Sequence, residues 1–275
     1  MNRGALALWR HRAGDQNPST LWEVGELVRD LAAQKKFAEA EQLLNETLTP
    51  TFVAQPSSGD LLAVRSDLMA RRGRWQEAAA DAALVPKYLP NDHYRYHTLA
   101  GLMVINHNRP EYEKLCQKIL PMFADTSNPY IAERVADDCL LLPDSGVDLQ
   151  VVNRLATRAV TTGNDASAMG YSQVCKALSE YRRGQFTEAV VWAEKSLKTD
   201  QAFARAKGYA VLAMAQWQLG QKEKARVALT NGNSLAPRVS TDRPVDLGDS
   251  WIAWLLARIS LDEAGQLIPL DSETK

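Results

Sequence analysis

A six-residue turn segment occurs three times in this chain of 275 residues and constrains its fold more than any other feature. The copies read Gly-Arg-Trp-Gln-Glu-Ala at 73–78, Gly-Gln-Phe-Thr-Glu-Ala at 184–189 and Gly-Gln-Lys-Glu-Lys-Ala at 220–225. The glycine allows the left-handed backbone that ends one helix, and the alanine five residues later lets the following helix approach closely. Each copy therefore predicts two antiparallel helices joined by a tight turn.

The turn recurs with a nearly constant period. The residues that open successive second helices are predicted at Ala40, Ala78, Leu115, Val152, Ala189 and Ala225. They stand 36 to 38 residues apart, and Leu115 and Val152 follow from stepping 37 residues from Ala78. Units of two helices that repeat at slightly more than about 34 residues are typical of a tetratricopeptide-like solenoid. The predicted fold is an all-α, right-handed superhelix of about six helix-turn-helix repeats with terminal capping helices.

The period divides the chain into four predicted segments. They are a partial repeat or N-terminal capping helix at 1–19, six repeats at 20–237, a loop at 238–248, and a C-terminal capping helix with its tail at 249–275. A half-repeat has no mate for its apolar face, which leaves two interpretations of the first segment open. It is either a native cap or the end of an array that begins upstream in a longer polypeptide.

Two of the predicted turns lack the glycine. Lys35 stands in its place in the first repeat, and Asn108 and Pro110 replace it in the third, where Tyr112 is taken as the aromatic residue of the turn. Because residues other than glycine adopt the left-handed backbone at a cost in free energy, these turns predict less regular packing in repeats one and three. The predicted fold is unchanged.

The chain resembles tetratricopeptide-repeat proteins from about residue 20 to 237. A narrower resemblance covers 92–200, where the sequence is similar to repeat arrays at the C-terminal ends of large bacterial signalling proteins. In that family the N-terminal part is a eukaryotic-like serine/threonine kinase or a WD40 propeller. The segments that carry this resemblance are Tyr112–Cys116, Asp125–Tyr130, Ala132–Ala136, Cys139–Pro143 and Glu180–Phe186.

The resemblance implies a helical binding or scaffolding module. Its alternative is a regulatory or substrate-recruiting C-terminal segment of a larger serine/threonine protein kinase. The sequence has no glycine-rich kinase loop and no Val-Ala-Ile-Lys, His-Arg-Asp or Asp-Phe-Gly motif, so kinase catalysis would lie upstream of Met1. The chain itself is predicted not to be an enzyme, and the reading frame upstream would separate the two interpretations.

Charge and composition limit the classes of partner that the chain could bind. The chain has 32 basic and 33 acidic residues and a net charge of -1, so no overall field attracts nucleic acid or an anionic membrane. It also lacks an apolar run long enough to span a bilayer and the apolar stretch of a signal peptide. Cys116, Cys139 and Cys175 lie in apolar helical stretches and are predicted to be buried free thiols. We therefore expect a cytoplasmic protein with protein or peptide partners.

One histidine pair has the spacing of metal ligands on a helix. His93 and His97 stand four residues apart, but Tyr94 occupies the place of the glutamate in His-Glu-x-x-His, and no third ligand is apparent. We interpret both as structural histidines. The sequence predicts no metal site and no cofactor.

Two groups of charged residues are interpreted as structural. Glu133, Asp137 and Asp138 lie along one side of a predicted helix, as expected for a solvated face rather than for catalytic carboxylates. The basic groups lie beside predicted helix C-termini, where a cation complements the helix dipole. They are Lys35-Lys36, Arg71-Arg72-Arg74 and Arg182-Arg183. Neither group predicts an active site or a surface for nucleic acid.

The first helices of stacked hairpins line the concave side of a solenoid, and the side chains that face inward there are the predicted partner-binding residues. Aromatic, methionine and arginine side chains at such positions suit a peptide or a partner helix. For Tyr181, Met214 and Trp217, packing between repeats is an equal alternative. The predicted residues are His97, Val104, Tyr171, Val174, Tyr181, Arg182, Lys207, Met214 and Trp217.

The last helix carries Trp251 and Trp254 on an apolar face. We expect it to cap the open end of the sixth repeat, since terminal repeats need a covered outer face. The alternative is an exposed docking surface through which the chain could associate with itself. The predicted function is a non-catalytic scaffold that binds a peptide or partner domain on its concave face.

Overall fold

The computed structural model describes residues 3–162, 166–237 and 246–269, and their regular secondary structure is helical. No residue within these ranges belongs to a β-strand, which confirms the predicted all-α class. One turn of 3₁₀ helix, Pro56–Ser58, lies between the fourth and fifth helices. The α-helices are α1 (Arg3–Ala13), α2 (Pro18–Ala33), α3 (Phe37–Thr47), α4 (Pro50–Val53), α5 (Gly59–Arg71), α6 (Trp75–Ala82), α7 (Val85–Tyr88), α8 (His93–Ile105), α9 (Arg109–Phe123), α10 (Pro129–Leu140), α11 (Leu149–Thr162), α12 (Ala166–Arg182), α13 (Phe186–Ser196), α14 (Ala202–Gln218), α15 (Lys222–Leu235) and α16 (Trp251–Leu267).

The chain divides into two compact units. Among the described residues, unit 1 comprises 3–102 and 246–249, and unit 2 comprises 103–162, 166–237 and 250–269. Each unit therefore contains one segment from the C-terminal part of the sequence.

The predicted segment boundaries stay predictions. Of the loop predicted at 238–248, the structure describes 246–248, which are not helical, whereas 238–245 lie outside the described residues. The end of the predicted tail, from residue 270 onward, lies outside them as well. Helix α2 begins at Pro18 rather than at Thr20, because Asn17 caps it by accepting a hydrogen bond from the Ser19 N–H.

Both units are built from helical hairpins. In unit 1, α2 packs against α3 and α5 against α6; in unit 2 the pairs are α10 with α11, α12 with α13, and α14 with α15. Within a unit, the N-terminal helix of one hairpin, its first helix, also packs against the first helix of the next. In unit 1 this pairs α2 with α5, and in unit 2 it places α10, α12 and α14 side by side. Amphipathic sequences explain this packing: α11 buries Val152, Leu155, Ala156 and Ala159, at the spacing of one helical face.

Five interhelical turns share one backbone geometry. The second residue after the end of the first helix has a positive φ in each: Lys35 (60°), Gly73 (73°), His107 (57°), Gly184 (76°) and Gly220 (75°). The next backbone N–H donates to the carbonyl five residues earlier, as from Arg74 to Met69 at 3.0 Å. This hydrogen-bond pattern is the one that ends a helix at a left-handed residue. The turns predicted from the repeated segment are therefore present.

The third turn is displaced from its predicted register. His107 takes the place of glycine, not Asn108 or Pro110. The Tyr112 N–H donates to the Asn108 carbonyl, and in the second repeat the Ala78 N–H donates to the equivalent Arg74 carbonyl. Tyr112 therefore holds the place of the small residue. The positions predicted for Tyr112 and Leu115 are wrong because nothing local marks which residue turns left-handed when glycine is missing.

Replacing either non-glycine residue in these turns should stabilise the chain. We expect Lys35→Gly and His107→Gly each to raise the free energy of unfolding by about 1 kcal/mol, since glycine has no Cβ to clash at positive φ. Urea unfolding followed by circular dichroism measures the change in the free energy of unfolding. Gly184→Ala is the reverse control, because it adds a Cβ at a positive φ and should lower the free energy of unfolding by a similar amount. No gain in either glycine variant would contradict the strain assigned to these turns.

Candidate functional site

The nine predicted partner-binding residues are distributed over both units. His97 lies in unit 1 and the other eight lie in unit 2. The side chains of the following five are buried: His97, Val174, Arg182, Lys207 and Met214. Val104, Tyr171, Tyr181 and Trp217 are half-buried. The five buried side chains therefore contribute to the interior, and partner contact stays a prediction for the remaining four.

Lys207 is buried because it forms an ion pair inside unit 2. Its Nζ donates to both carboxylate oxygens of Asp137, and the two side chains are only 6% and 4% exposed. The pair joins α14 to α10, the two first helices that flank α12. A charge is tolerated in the interior when it is paired in this way. The solvated acidic face predicted for this stretch is wrong for Asp137 and for Asp138, which are both buried.

Arg182 is held in the same manner at the end of α12. Two guanidinium nitrogens donate to the Glu263 carboxylate of α16, with an Nη2–Oε2 distance of 2.6 Å. Nε and Nη2 also donate to the Leu140 carbonyl at the C-terminus of α10, at 3.1 and 3.0 Å. The expected role of this arginine beside a helix C-terminus is thus present, although the helix is α10 and not its own.

The three cysteines lie in unit 2 and are buried free thiols, as predicted. Burial, reinforced by the carboxylates of Asp137 and Glu133, raises the pKa of the Cys175 thiol well above its ordinary value. A hydrogen bond between the Cys139 and Cys116 side chains, together with burial, raises the pKa of the Cys139 thiol well above its ordinary value. Because the thiolate is the reactive form, this environment keeps both sulfurs unreactive and favours a packing role.

A row of three half-buried aromatic rings crosses three helices of unit 2, α12, α14 and α16. The rings of Tyr171 on α12 and Phe203 on α14 are stacked with centroids 5.2 Å apart, and Phe203 meets Trp254 on α16 edge to face at 5.7 Å. We call these three residues the aromatic row. Tyr171 was a predicted binding residue, whereas Phe203 was missed because it stands 32 residues after Tyr171, which is not the repeat period.

Tyr181 and Trp217 occupy equivalent places, three residues before the glycines of their turns. The Tyr181 ring lies 5.7 Å from that of Phe186, and burial raises the pKa of its hydroxyl. The Trp217 ring carries the Lys222 ammonium at 3.4 Å from its centroid. A cation over an indole face is attracted by the ring electrons, so this face of Trp217 is already covered within the chain.

Helix α16 packs onto unit 2 through α14 and α15. Its Trp251 is buried, and a Cβ added to Gly232 of α15 would lie 2.7 Å from the Leu261 side chain. The Arg258 guanidinium donates to the Asn233 side chain at 2.6 Å. These contacts are those of a helix that covers the last hairpin. Self-association through α16 stays a prediction.

Comparison with solved structures identifies the architecture. A tetratricopeptide-repeat protein from Parabacteroides merdae ATCC 43184 aligns with a TM-score of 0.54 and 15% sequence identity, over 92% of this chain and 88% of its own. The chain has a tetratricopeptide-repeat fold. Yeast Tom70 aligns with a TM-score of 0.43 and 16% identity, over 83% of this chain and 43% of its own. No family model matches the chain, and no curated protein matches its sequence.

The two histidines with metal-ligand spacing, His93 and His97, both lie on α8. His97 is buried, with its ring 6.1 Å from that of Tyr94. Within the described ranges no three His, Cys, Asp or Glu residues are grouped so that they could hold a metal ion. None of the helices in the same ranges has the length and apolarity needed to cross a membrane.

Proposed function

We propose that the chain is a non-catalytic protein-interaction module that binds a peptide or helix of a partner protein on unit 2. The observation that supports this proposal is the aromatic row of Tyr171, Phe203 and Trp254. Three partly exposed rings from α12, α14 and α16 offer a large rigid contact area, and ordering them costs little conformational entropy. Such rows suit extended or helical peptides better than small polar ligands.

The charges of unit 2 indicate how a partner would be held. Lys207 and Arg182 are the two cations that the sequence predicted for partner contact, and both are neutralised within the chain by Asp137 and Glu263. A buried and paired cation gives little attraction to an incoming group. The binding contribution therefore comes from apolar and aromatic contact, and the partner should present apolar anchors to the aromatic row.

Partner capture with matched variants tests the proposal. We expect Tyr171→Ala and Phe203→Ala to lower capture of specific partners from the native lysate at least about tenfold, the typical effect of removing an aromatic anchor. Val191→Ala and Val227→Ala are the controls, because these valines are 46% and 60% exposed on the second helices α13 and α15. Circular dichroism must show the same helix content for all four variants.

Two outcomes would contradict the proposal. One is equal loss of the same partners in the aromatic and the valine variants, since binding would then not depend on the aromatic row. The other is turnover of a substrate by the isolated chain, which would overturn the non-catalytic assignment.

A further inference from the structure

Arg71 and Arg182 occupy the same place in their repeats, two residues before Gly73 and Gly184. Each guanidinium binds a carboxylate that comes from the C-terminal part of the sequence. In unit 2 this carboxylate belongs to a helix, α16, as described above. In unit 1 it belongs to the non-helical segment 246–249, which is held as a bound peptide would be.

The Arg71 side chain makes a two-pronged contact with this segment. Its Nε donates to Asp246 Oδ1 at 2.7 Å and its Nη2 to Asp246 Oδ2 at 3.0 Å. Its Nη1 donates to Asp249 Oδ1 at 2.9 Å. The arginine side chain is only 10% exposed, and its guanidinium lies 5.5 Å from the ring centroid of Phe37. Paired parallel hydrogen bonds of this kind recognise a carboxylate by geometry as well as by charge.

The segment is also recognised through its backbone and one apolar side chain. The Leu247 N–H donates to the Arg71 carbonyl at 2.8 Å, which satisfies a backbone acceptor at the end of α5. The Leu247 side chain is buried. Within the segment, the Gly248 N–H donates to Asp246 Oδ1 at 3.0 Å. A carboxylate, a backbone donor and an apolar anchor on consecutive residues together define a short linear motif.

Asp246 pairs with Arg71 and not with the neighbouring arginines because those are paired with another carboxylate. Arg72 and Arg74 belong to the same turn, and both pair with Glu41 of α3. Burial acts to raise the pKa of the Asp246 carboxyl, but the hydrogen bonds from Arg71 and from the Gly248 N–H, together with the charges of Arg71 and Lys35, outweigh it and lower this pKa. The aspartate is therefore bound in its charged form.

We propose that Arg71, Phe37 and the end of α5 form a binding site for a peptide with an aspartate followed by a leucine, and that residues 246–249 fill this site as an internal ligand. A partner protein gains access by presenting the same acidic and apolar pair in competition with the internal segment. This proposal rests on the proposed function in treating the chain as a peptide-binding module, but it uses residues of unit 1 alone.

The test uses a fluorescent peptide with the sequence of residues 246–250, Asp-Leu-Gly-Asp-Ser, capped at its C-terminus, and the full chain. An internal ligand competes at an effective concentration in the millimolar range, so wild type should bind the peptide weakly. The double variant Asp246→Asn, Leu247→Ala empties the site and should bind at least about tenfold more tightly by fluorescence anisotropy. Adding Arg71→Met to this variant should abolish binding, whereas adding Arg74→Met should not.

The matched ligand is the same peptide with asparagine in place of its first aspartate, which should not bind. If the double variant is folded by circular dichroism and binds no better than wild type, the segment is a structural strap and the proposal is wrong. If the double variant is unfolded, wild type is titrated with millimolar peptide, and failure to bind, or equal binding by Arg71→Met, overturns the proposal. Phe203→Ala should leave binding of this peptide unchanged. The experiment therefore tests the Arg71 site separately from the proposed binding of a partner to the aromatic row.

Discussion

Replacing Lys207 with methionine is expected to lower the free energy of unfolding by about 3 to 5 kcal/mol. The substitution leaves the Asp137 carboxylate in the interior of unit 2 without its cation, and both side chains of the pair are almost completely removed from solvent. An unpaired buried charge is far more costly than the net value of the pair itself. This result would also show that Lys207 stabilises the fold and is not a partner-binding residue.

Urea unfolding at neutral pH, followed by circular dichroism, measures this loss. Lys114→Met is the matched control, because the pair of Lys114 with Glu111 is exposed and should contribute less than about 1 kcal/mol. Adding Asp137→Leu to Lys207→Met should recover most of the loss, since two apolar side chains can replace a buried pair. Equal effects of Lys207→Met and Lys114→Met would contradict the buried pair.

The Tyr112→Ala variant is expected to lose about 3 to 5 kcal/mol of stability. Tyr112 is among the largest fully buried side chains of unit 2, so truncation leaves a cavity. Its hydroxyl donates to the Asp138 carbonyl at 2.7 Å and accepts from the Leu142 N–H at 3.3 Å, so both backbone groups would lose a partner. We expect Tyr112→Phe, which keeps the volume, to lose about 1 to 3 kcal/mol.

The same unfolding experiment measures both variants. Tyr130→Ala on α10 is the control, because that tyrosine is exposed and its truncation should change stability by about 0.5 kcal/mol or less. A loss for Tyr112→Ala within about 1 kcal/mol of this control would refute the cavity argument. Similar losses for the alanine and phenylalanine variants would assign the effect to the hydrogen bonds instead of the volume.

The turns show what can be predicted from local sequence. Gly73, Gly184 and Gly220 mark the left-handed residues because positive φ is a property of a single backbone position, and all three adopt it. Where glycine is absent the prediction was poorer. Lys35 was placed correctly by the period, but His107 was missed and the third hairpin was read three residues out of register.

The charged residues show the opposite case. The sequence around Asp137 has the pattern of a solvated helix face, yet its partner is Lys207, seventy residues away. In the same way, Arg182 and Glu263 are 81 residues apart, and Arg71 and Asp246 are 175 apart. Periodicity reports which side of a helix is apolar, but it does not report which distant helix or segment covers that side.

For this protein the sequence by itself determined the all-α repeat class, the positions of the glycine turns and the burial of the three cysteines. Each of these depends on backbone conformation or on apolar periodicity within a few turns of one helix. Only the tertiary structure decided that Lys207 and Arg182 point inward, that Phe203 completes an aromatic row, and that residues 246–249 bind Arg71. Those features depend on pairing between groups far apart in sequence, and such pairing exists only once the helices have packed.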